Sequence, residues 1–155
     1  MKRLLGLLLV MGMVGCGQSE NAGDAVGHAS IGASESSLAK ISSEIRRDEN
    51  GNITFVDLRT SRPLTDAMLV HLTGLNKLEY LTMAHMEVTD AGLIHLKGLT
   101  NLKRIWLTET KVAGEGLVHL KGMTQLERLD LSETQVTDAG VAELQQALPN
   151  CKIRN

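Results

Sequence analysis

The stretch LEYLTMAHMEVTDAGLIHLKGLTN, residues 78–101, combines two apolar periods within 24 positions. Leu81 and Met83 alternate with polar residues, which is typical of a strand with one buried face. Leu93 and Leu96 follow at helical spacing. The stretch therefore predicts one strand followed by one short helix, and a unit of that size cannot bury both apolar faces alone.

The same pattern recurs along the chain at a spacing of 24 residues. LKRIWLTETKVAGEGLVHLKGMTQ begins at Leu102, and LERLDLSETQVTDAGVAELQQALP begins at Leu126. An earlier copy, ITFVDLRTSRPLTDAMLVHLTGLNK, begins at Ile53 and has one extra residue near Pro63. Stacking these copies side by side would bury their apolar faces continuously.

The shared pattern L-x-x-L-x-L-x-x-T-x-V-T-D-A-G-L-x-x-L-x-x-L resembles the leucine-rich-repeat family in a 24-residue bacterial form. The resemblance implies an α/β fold, a short right-handed solenoid with parallel strands on the concave face and helices on the convex face. We expect four repeats over residues 53–148. The family also places a polar residue after each strand that bonds the turning backbone, a position held here by Ser61, Thr110 and Thr134, whereas Met86 departs from it.

A Thr-Asp pair separates the strand from the helix in three of the four copies. Thr and Asp are preferred residues for capping a helix N-terminus. The third copy has Ala113-Gly114 instead, so we expect a weaker helix start there. The predicted caps are Thr65-Asp66, Thr89-Asp90 and Thr137-Asp138.

The two ends of a repeat stack need covering elements. Leu38, Ile41 and Ile45 share one helical face, and Asn50-Gly51 is a strong hairpin signal. We expect residues 34–52 to form an N-terminal cap of a helix and a hairpin. Residues 149–155 are expected to add a closing strand at the other end.

The N-terminal segment is predicted to be a targeting signal and not part of the fold. Lys2 and Arg3 precede an apolar run, residues 4–14, that is too short to span a membrane. The following MVGC resembles a bacterial lipoprotein signal, which implies removal of residues 1–15 and lipidation of Cys16. The alternative is an ordinary secretion signal with a free thiol at Cys16. Residues 16–33 are rich in Gly, Ala and Ser and are expected to form a flexible tether. Lipidation of Cys16 at the start of this tether would anchor the domain to a membrane surface of the cell envelope.

Charge and cysteine content narrow the possible partners. Sixteen Lys and Arg against 18 Asp and Glu give a net charge of −2, and no basic run suggests a nucleic-acid partner. If Cys16 carries lipid, Cys151 cannot form a disulfide within the chain, so we expect Cys151 to be a small buried apolar residue. Apart from the lipidation signal we find no motif for a catalytic centre or a cofactor.

Three histidines recur at the repeat spacing. Stacking would place His71, His95 and His119 in a column, and three imidazoles could bind a metal ion. Repetition of one helix-flank position explains the column equally well, and no carboxylate is evident that would orient the rings. We therefore predict no metal site.

The chain contains one Trp, one Tyr and one Phe, and strand alternation directs all three outward. They are expected to form a diagonal strip with Arg residues around it, a composition typical of interface hot spots. Packing of rings and guanidiniums that only stabilises the sheet is the alternative. The candidate ligand-binding residues are Phe55, Asp57, Arg59, Tyr80, Thr82, Arg104, Trp106, Arg128 and Asp130, with Ala84, Thr108 and Ser132 also expected on this face.

These features predict a non-catalytic, membrane-anchored interaction module that binds a protein or peptide through its concave strand face. Glycan or cell-wall recognition is the alternative, because rings beside Arg and Asp also suit sugar faces and hydroxyl groups. An enzyme is the weakest of the three hypotheses, because no acid, base and nucleophile converge in the pattern.

Overall fold

The computed structural model describes residues 36–60 and 64–155. The predicted signal peptide, the lipidation site at Cys16, the tether and Ser61 therefore lie outside the described residues, as do the first two residues of the predicted N-terminal cap. Helix α1 is described over residues 36–41. The strands are β1 Glu44–Arg47, β2 Ile53–Asp57, β3 Tyr80–Thr82, β4 Arg104–Trp106, β5 Arg128–Asp130 and β6 Lys152–Arg154.

The six strands form one sheet in chain order from β1 to β6. The sheet is mixed, because β1 pairs antiparallel with β2 while β2 to β6 are parallel. Each repeat contributes one strand in the same register. The inward positions of β2 to β6 are consecutive partners across the sheet: Val56, Leu81, Ile105, Leu129 and Ile153. The chain is thus a leucine-rich-repeat-like α/β solenoid. We number the repeats 1 to 4 by their strands β2 to β5.

The helical segments of the repeats differ in type from the helices that the sequence predicts. Repeats 1 to 3 have short 3-10 helices, Asp66–Leu72, Gly92–Leu96 and Glu115–Leu120, and only repeat 4 has an α-helix, α2, at Asp138–Ala147. The 3-10 segments are five to seven residues long. Their inward leucines are three positions apart, as at Leu93 and Leu96, which matches the three residues per turn of a 3-10 helix.

The leucines between the sheet and these helices form one continuous core that runs through every repeat. Leu38 of α1 is fully buried and extends that core beyond β1 and β2. Cys151 is buried at the other end, as predicted, and burial raises the pKa of its thiol to about 11. Because a thiolate is the reactive form, Cys151 is an inert core residue at neutral pH.

A tight turn follows each strand of repeats 2 to 4. His85, Glu109 and Glu133 occupy equivalent positions there with φ between 56° and 63°. The hydroxyl of Thr110 donates to the Leu107 carbonyl at 2.7 Å, and that of Thr134 donates to the Leu131 carbonyl at 2.6 Å. Repeat 2 lacks this hydrogen bond because it has Met86, whose side chain is buried instead.

The Thr-Asp pairs do more than cap helices, and the capping prediction was wrong for Thr65, whose side chain makes no capping bond. Neither Thr65 nor Ala91, the N-cap residues of the first two 3-10 helices, makes a side-chain capping bond. Thr137 caps its helix by accepting from the Gly140 N–H, and the Thr89 hydroxyl accepts from the Ala91 N–H at 3.2 Å, directly before the second 3-10 helix. The other two aspartates reach the following repeat. Asp66 accepts from the N–H and hydroxyl of Thr89, and Asp90 accepts from the N–H groups of Ala113, Gly114 and Gly116.

Candidate binding surface on the strand face

The outward side chains of the sheet form two rows, because register partners align across all six strands. We call this surface the strand face. Its first row consists of Arg46, Phe55, Tyr80, Arg104, Arg128 and Lys152. Its second row consists of Glu44, Asp57, Thr82, Trp106, Asp130 and Arg154. The predicted ligand-binding residues all fall in these rows except Arg59, which follows β2.

The three aromatic rings lie on the strand face and are each partly exposed. Phe55 and Tyr80 are adjacent in the first row, whereas Trp106 pairs with Thr82 in the second row and is diagonal to Tyr80. Guanidinium groups cover two of the rings. Arg46 lies 4.4 Å from the centroid of Phe55, and Arg104 lies 5.7 Å from that of Tyr80. Trp106 has no such cation over it among the described residues.

Asp57 and Thr82 are less accessible than strand alternation predicts. Asp57 is 4% exposed and Thr82 is 8% exposed, so neither offers an open ligand contact. Asp57 accepts three hydrogen bonds from the Arg59 guanidinium, at 2.6, 3.0 and 3.1 Å, and one from the Arg59 backbone at 2.9 Å. Thr82 is small and lies between Asp57 and Trp106. Ala84 is also buried, beside the turn that follows β3.

Burial and ion pairing act in opposite directions on the carboxyls of the second row. Burial alone would raise the pKa of Asp57, but the hydrogen bonds and charge of Arg59 outweigh it and the pKa is lowered. Burial likewise opposes the lowering of the pKa of Asp130, where the Ser132 N–H donates at 3.0 Å and Arg154 is 3.7 Å away. Both carboxylates are therefore ionised at neutral pH and already have partners.

Two grooves open on the strand face. One, of about 350 Å³, is lined by Arg46, Phe55, Tyr80 and Arg104, together with Thr54. The other, of about 400 Å³, lies over β4, β5 and β6 and includes Trp106, Arg128 and Lys152 in its walls. The rings and the first-row cations thus border concave surface and do not stand on a flat sheet.

Sequence reasoning missed three cations of the strand face: Arg46, Lys152 and Arg154. The closing strand was predicted from PNCKIRN, so the same alternation applied to it would have placed Lys152 and Arg154 outward. Arg46 was not identifiable in this way, because its place opposite Phe55 depends on the hairpin register. That register shifts between Arg46 and Arg47.

The histidine column lies away from the strand face. His71, His95 and His119 occupy the last turns of the three 3-10 helices, and each is partly buried. Within residues 36–60 and 64–155, no group of three or more His, Cys, Asp or Glu is placed to hold a metal ion. In the same part of the chain, no helix is long and apolar enough to cross a lipid bilayer.

No protein-family model matches the chain, and no curated protein matches it. Among solved structures, an internalin from Listeria monocytogenes is similar at 18% sequence identity with a TM-score of 0.45. The alignment covers 66% of this chain and 34% of the internalin, so the chain spans about a third of that protein's length. The description of this molecule as an α/β repeat protein therefore rests on its own periodicity and strand register.

Proposed function

We propose that the chain is a non-catalytic interaction module of leucine-rich-repeat type that binds a protein or peptide through its strand face. The observation that carries this proposal is the gathering of all three aromatic residues and five cations on one grooved surface. Large rings and Arg are the residue types that dominate protein-interface energetics. Sheet stability alone does not require the single Trp of the chain on this surface.

A peptide or protein ligand fits this face better than a glycan. Sugar rings stack on open aromatic faces, and here Arg46 and Arg104 lie over Phe55 and Tyr80. Trp106 is the ring left for an incoming group. Glycan recognition remains the alternative function, and its signature is competition by simple saccharides together with dependence on the rings alone.

We also propose that the module is lipid-anchored at Cys16 to a membrane surface of the bacterial cell envelope. The support is the sequence MVGC after a positively charged and apolar segment. The test is the Cys16→Ser variant of the full-length chain, which should leave the membrane fraction for the soluble fraction. A variant that still sediments with membranes after a salt wash contradicts the anchor.

The test of the binding proposal starts with selection of peptides from a random displayed library on the full-length protein. Peptide binding should shift Trp106 emission to shorter wavelength and protect it from a soluble quencher, because Trp106 is the only Trp. Trp106→Ala should weaken the selected peptides by about 2 kcal/mol or more, the scale of an aromatic anchor.

The matched control is Ile94→Ser on the second 3-10 helix, where the side chain is exposed on the opposite side of the solenoid. It should leave peptide affinity unchanged. Equal loss of binding in Trp106→Ala and Ile94→Ser, or loss in Ile94→Ser alone, contradicts a ligand site on the strand face. Thermal unfolding of both variants shows whether each one is folded.

A further inference from the structure

The first row of the strand face contains cations on neighbouring strands with no acid between them. Arg104, Arg128 and Lys152 are consecutive register partners on β4, β5 and β6. Neighbouring strands are about 4.8 Å apart. Like charges directly opposite one another destabilise a sheet. The fold therefore gains nothing from this arrangement, although the chain as a whole carries a net charge of −2.

Asp57 and Asp130 of the second row, and Glu79 next to Tyr80, are engaged by other cations. Arg59 holds Asp57, and Arg154 lies 3.7 Å from Asp130. Lys103 forms an ion pair with Glu79 at 2.9 Å, which raises the pKa of Lys103. The negative charge of Glu127 also raises the pKa of Lys103. Across residues 36–60 and 64–155, the three cations that make no ion pair on this face are Arg104, Arg128 and Lys152.

Arg104 adds an independent observation. Its Nε is shielded from solvent and has no hydrogen-bond partner in the described part of the chain. Buried polar atoms are nearly always hydrogen-bonded, so such an atom requires an explanation. The guanidinium lies over Tyr80, which restricts its orientation. The Arg104 Nε is thus an oriented donor without an acceptor in the described part of the chain.

We infer that the first row binds the carboxylates of an acidic peptide segment that lies across β4, β5 and β6, an inference that rests on the function proposed above. Alternate side chains of an extended peptide are about 6.8 Å apart. This distance lies between the spacing of cations on adjacent strands, about 4.8 Å, and the spacing of cations two strands apart, about 9.6 Å. Arg binds carboxylates through paired, charge-assisted hydrogen bonds. Trp106 and Ile153 in the adjoining groove supply apolar surface for a hydrophobic side chain of the same segment.

The experiment uses terminally blocked synthetic peptides in which Glu alternates with Leu, and the same peptides with Gln in place of Glu. Trp106 emission of the full-length protein reports binding. The Glu peptides should bind, and the affinity of the Gln peptides should be lower by roughly tenfold or more. Added salt should weaken the Glu peptides, because the interaction is between charges.

Variants assign the effect to the row. Arg128→Gln removes an exposed charge and should weaken the Glu peptides about tenfold while leaving the Gln peptides unchanged. Lys97→Gln, an equally exposed cation after the second 3-10 helix, is the control and should change neither affinity. Unaltered thermal unfolding of Arg128→Gln separates lost binding from lost folding.

The outcomes distinguish this inference from the proposed function. If the library selects peptides that need Trp106 but show no enrichment of Asp or Glu, the function stands and the acidic-peptide inference is wrong. If no peptide depends on Trp106, both are wrong. If a polyuronate or inorganic phosphate requires Arg128 while the Glu peptides do not bind, the row recognises an anion other than a peptide and the inference is also wrong.

Discussion

The junctions between consecutive repeats are of two kinds. At the junctions from repeat 1 to 2 and from repeat 2 to 3, an aspartate of the earlier repeat accepts hydrogen bonds from the later one. At the junction from repeat 3 to 4, Gly114 stands at the aspartate position and has no side chain to offer. There the Thr137 side chain caps its own helix instead.

Repeats 2 to 4 share a glycine three residues after the Thr position of the motif, and its surroundings follow the same division. A Cβ on Gly92 would lie 2.3 Å from Asp66 Oδ1, and one on Gly116 would lie 2.6 Å from the Asp90 carbonyl oxygen. A Cβ on Gly140 would meet nothing closer than 3.6 Å. Repeat 1 follows no earlier repeat and has Met68 at this position. The glycine is needed only where the preceding repeat supplies an aspartate.

This pairing shows how one sequence motif serves two structural purposes. The aspartate of Thr-Asp is a junction clamp in repeats 1 and 2, and the threonine caps the α-helix in repeat 4. The two clamped helices are five and six residues long, and the one that Thr137 caps is an α-helix of ten residues. A repeat whose N–H groups are bonded by its predecessor does not require its own cap.

The largest effect on stability should come from a change in the hydrophobic core, which both kinds of junction share. Leu129→Asp places an unpaired charge at a residue that is 1% exposed, and it should cost about 4 kcal/mol or more and unfold the domain. Chemical denaturation monitored by circular dichroism measures this. Ser132→Ala on the outward side of the same strand segment is the control, and it should shift the midpoint little. Similar shifts for the two variants would contradict the register of β5.

Removal of one clamp should have the next largest effect. Asp90→Ala leaves three N–H groups of repeat 3 without their acceptor and should cost about 3 kcal/mol of the free energy of unfolding. Asp138→Ala is the matched control, because within residues 36–60 and 64–155 the Asp138 carboxylate meets only the Asn155 amide, at 3.4 Å. It should cost about 0.5 kcal/mol through its place in the first turn of α2. A larger loss for Asp138→Ala would mean that the aspartates act as caps after all.

The glycines test the same division by steric fit. Gly116→Ala should destabilise by about 2 kcal/mol, because the added methyl meets backbone atoms of Asp90 that cannot swing aside. Gly140→Ala should be neutral or stabilise by about 0.5 kcal/mol, because it replaces glycine within an α-helix where space is free. Thermal unfolding of the pair compares them directly. Equal destabilisation would show that the glycine position is needed for reasons unrelated to the clamp.

The repeat spacing, the strand positions and the inward leucines were predictable because they depend on local periodicity. Ile105 and Leu129 are buried at the predicted positions. The inter-repeat role of Asp66 and Asp90 was not predictable, since it depends on the distance between stacked units and not on neighbours in sequence. For the same reason alternation placed Asp57 outward but could not show that Arg59 covers it. Whether the outward residues bind a ligand stays a prediction.

Asp57 provides the smallest and most specific comparison, because its carboxylate is bonded within one repeat and not across a junction. The pKa of Asp57 is lowered from its ordinary value of 3.8. A lowered folded-state pKa means that the stabilisation is present above the unfolded pKa and is lost as pH falls through the folded pKa. Asp57→Asn should therefore cost about 1–2 kcal/mol at pH 7, after allowance for solvent screening at the exposed Arg59 guanidinium.

That cost should shrink below about pH 4, where the carboxyl of the parent protein becomes protonated and resembles the amide. Denaturant titrations of both proteins between pH 7 and pH 2.5 measure the difference directly. Glu115→Gln removes one exposed negative charge from the third 3-10 helix and controls for the change in net charge. If the difference in the free energy of unfolding between the parent and Asp57→Asn stays constant down to pH 2.5, the Asp57–Arg59 pair stabilises the fold through packing and not through charge.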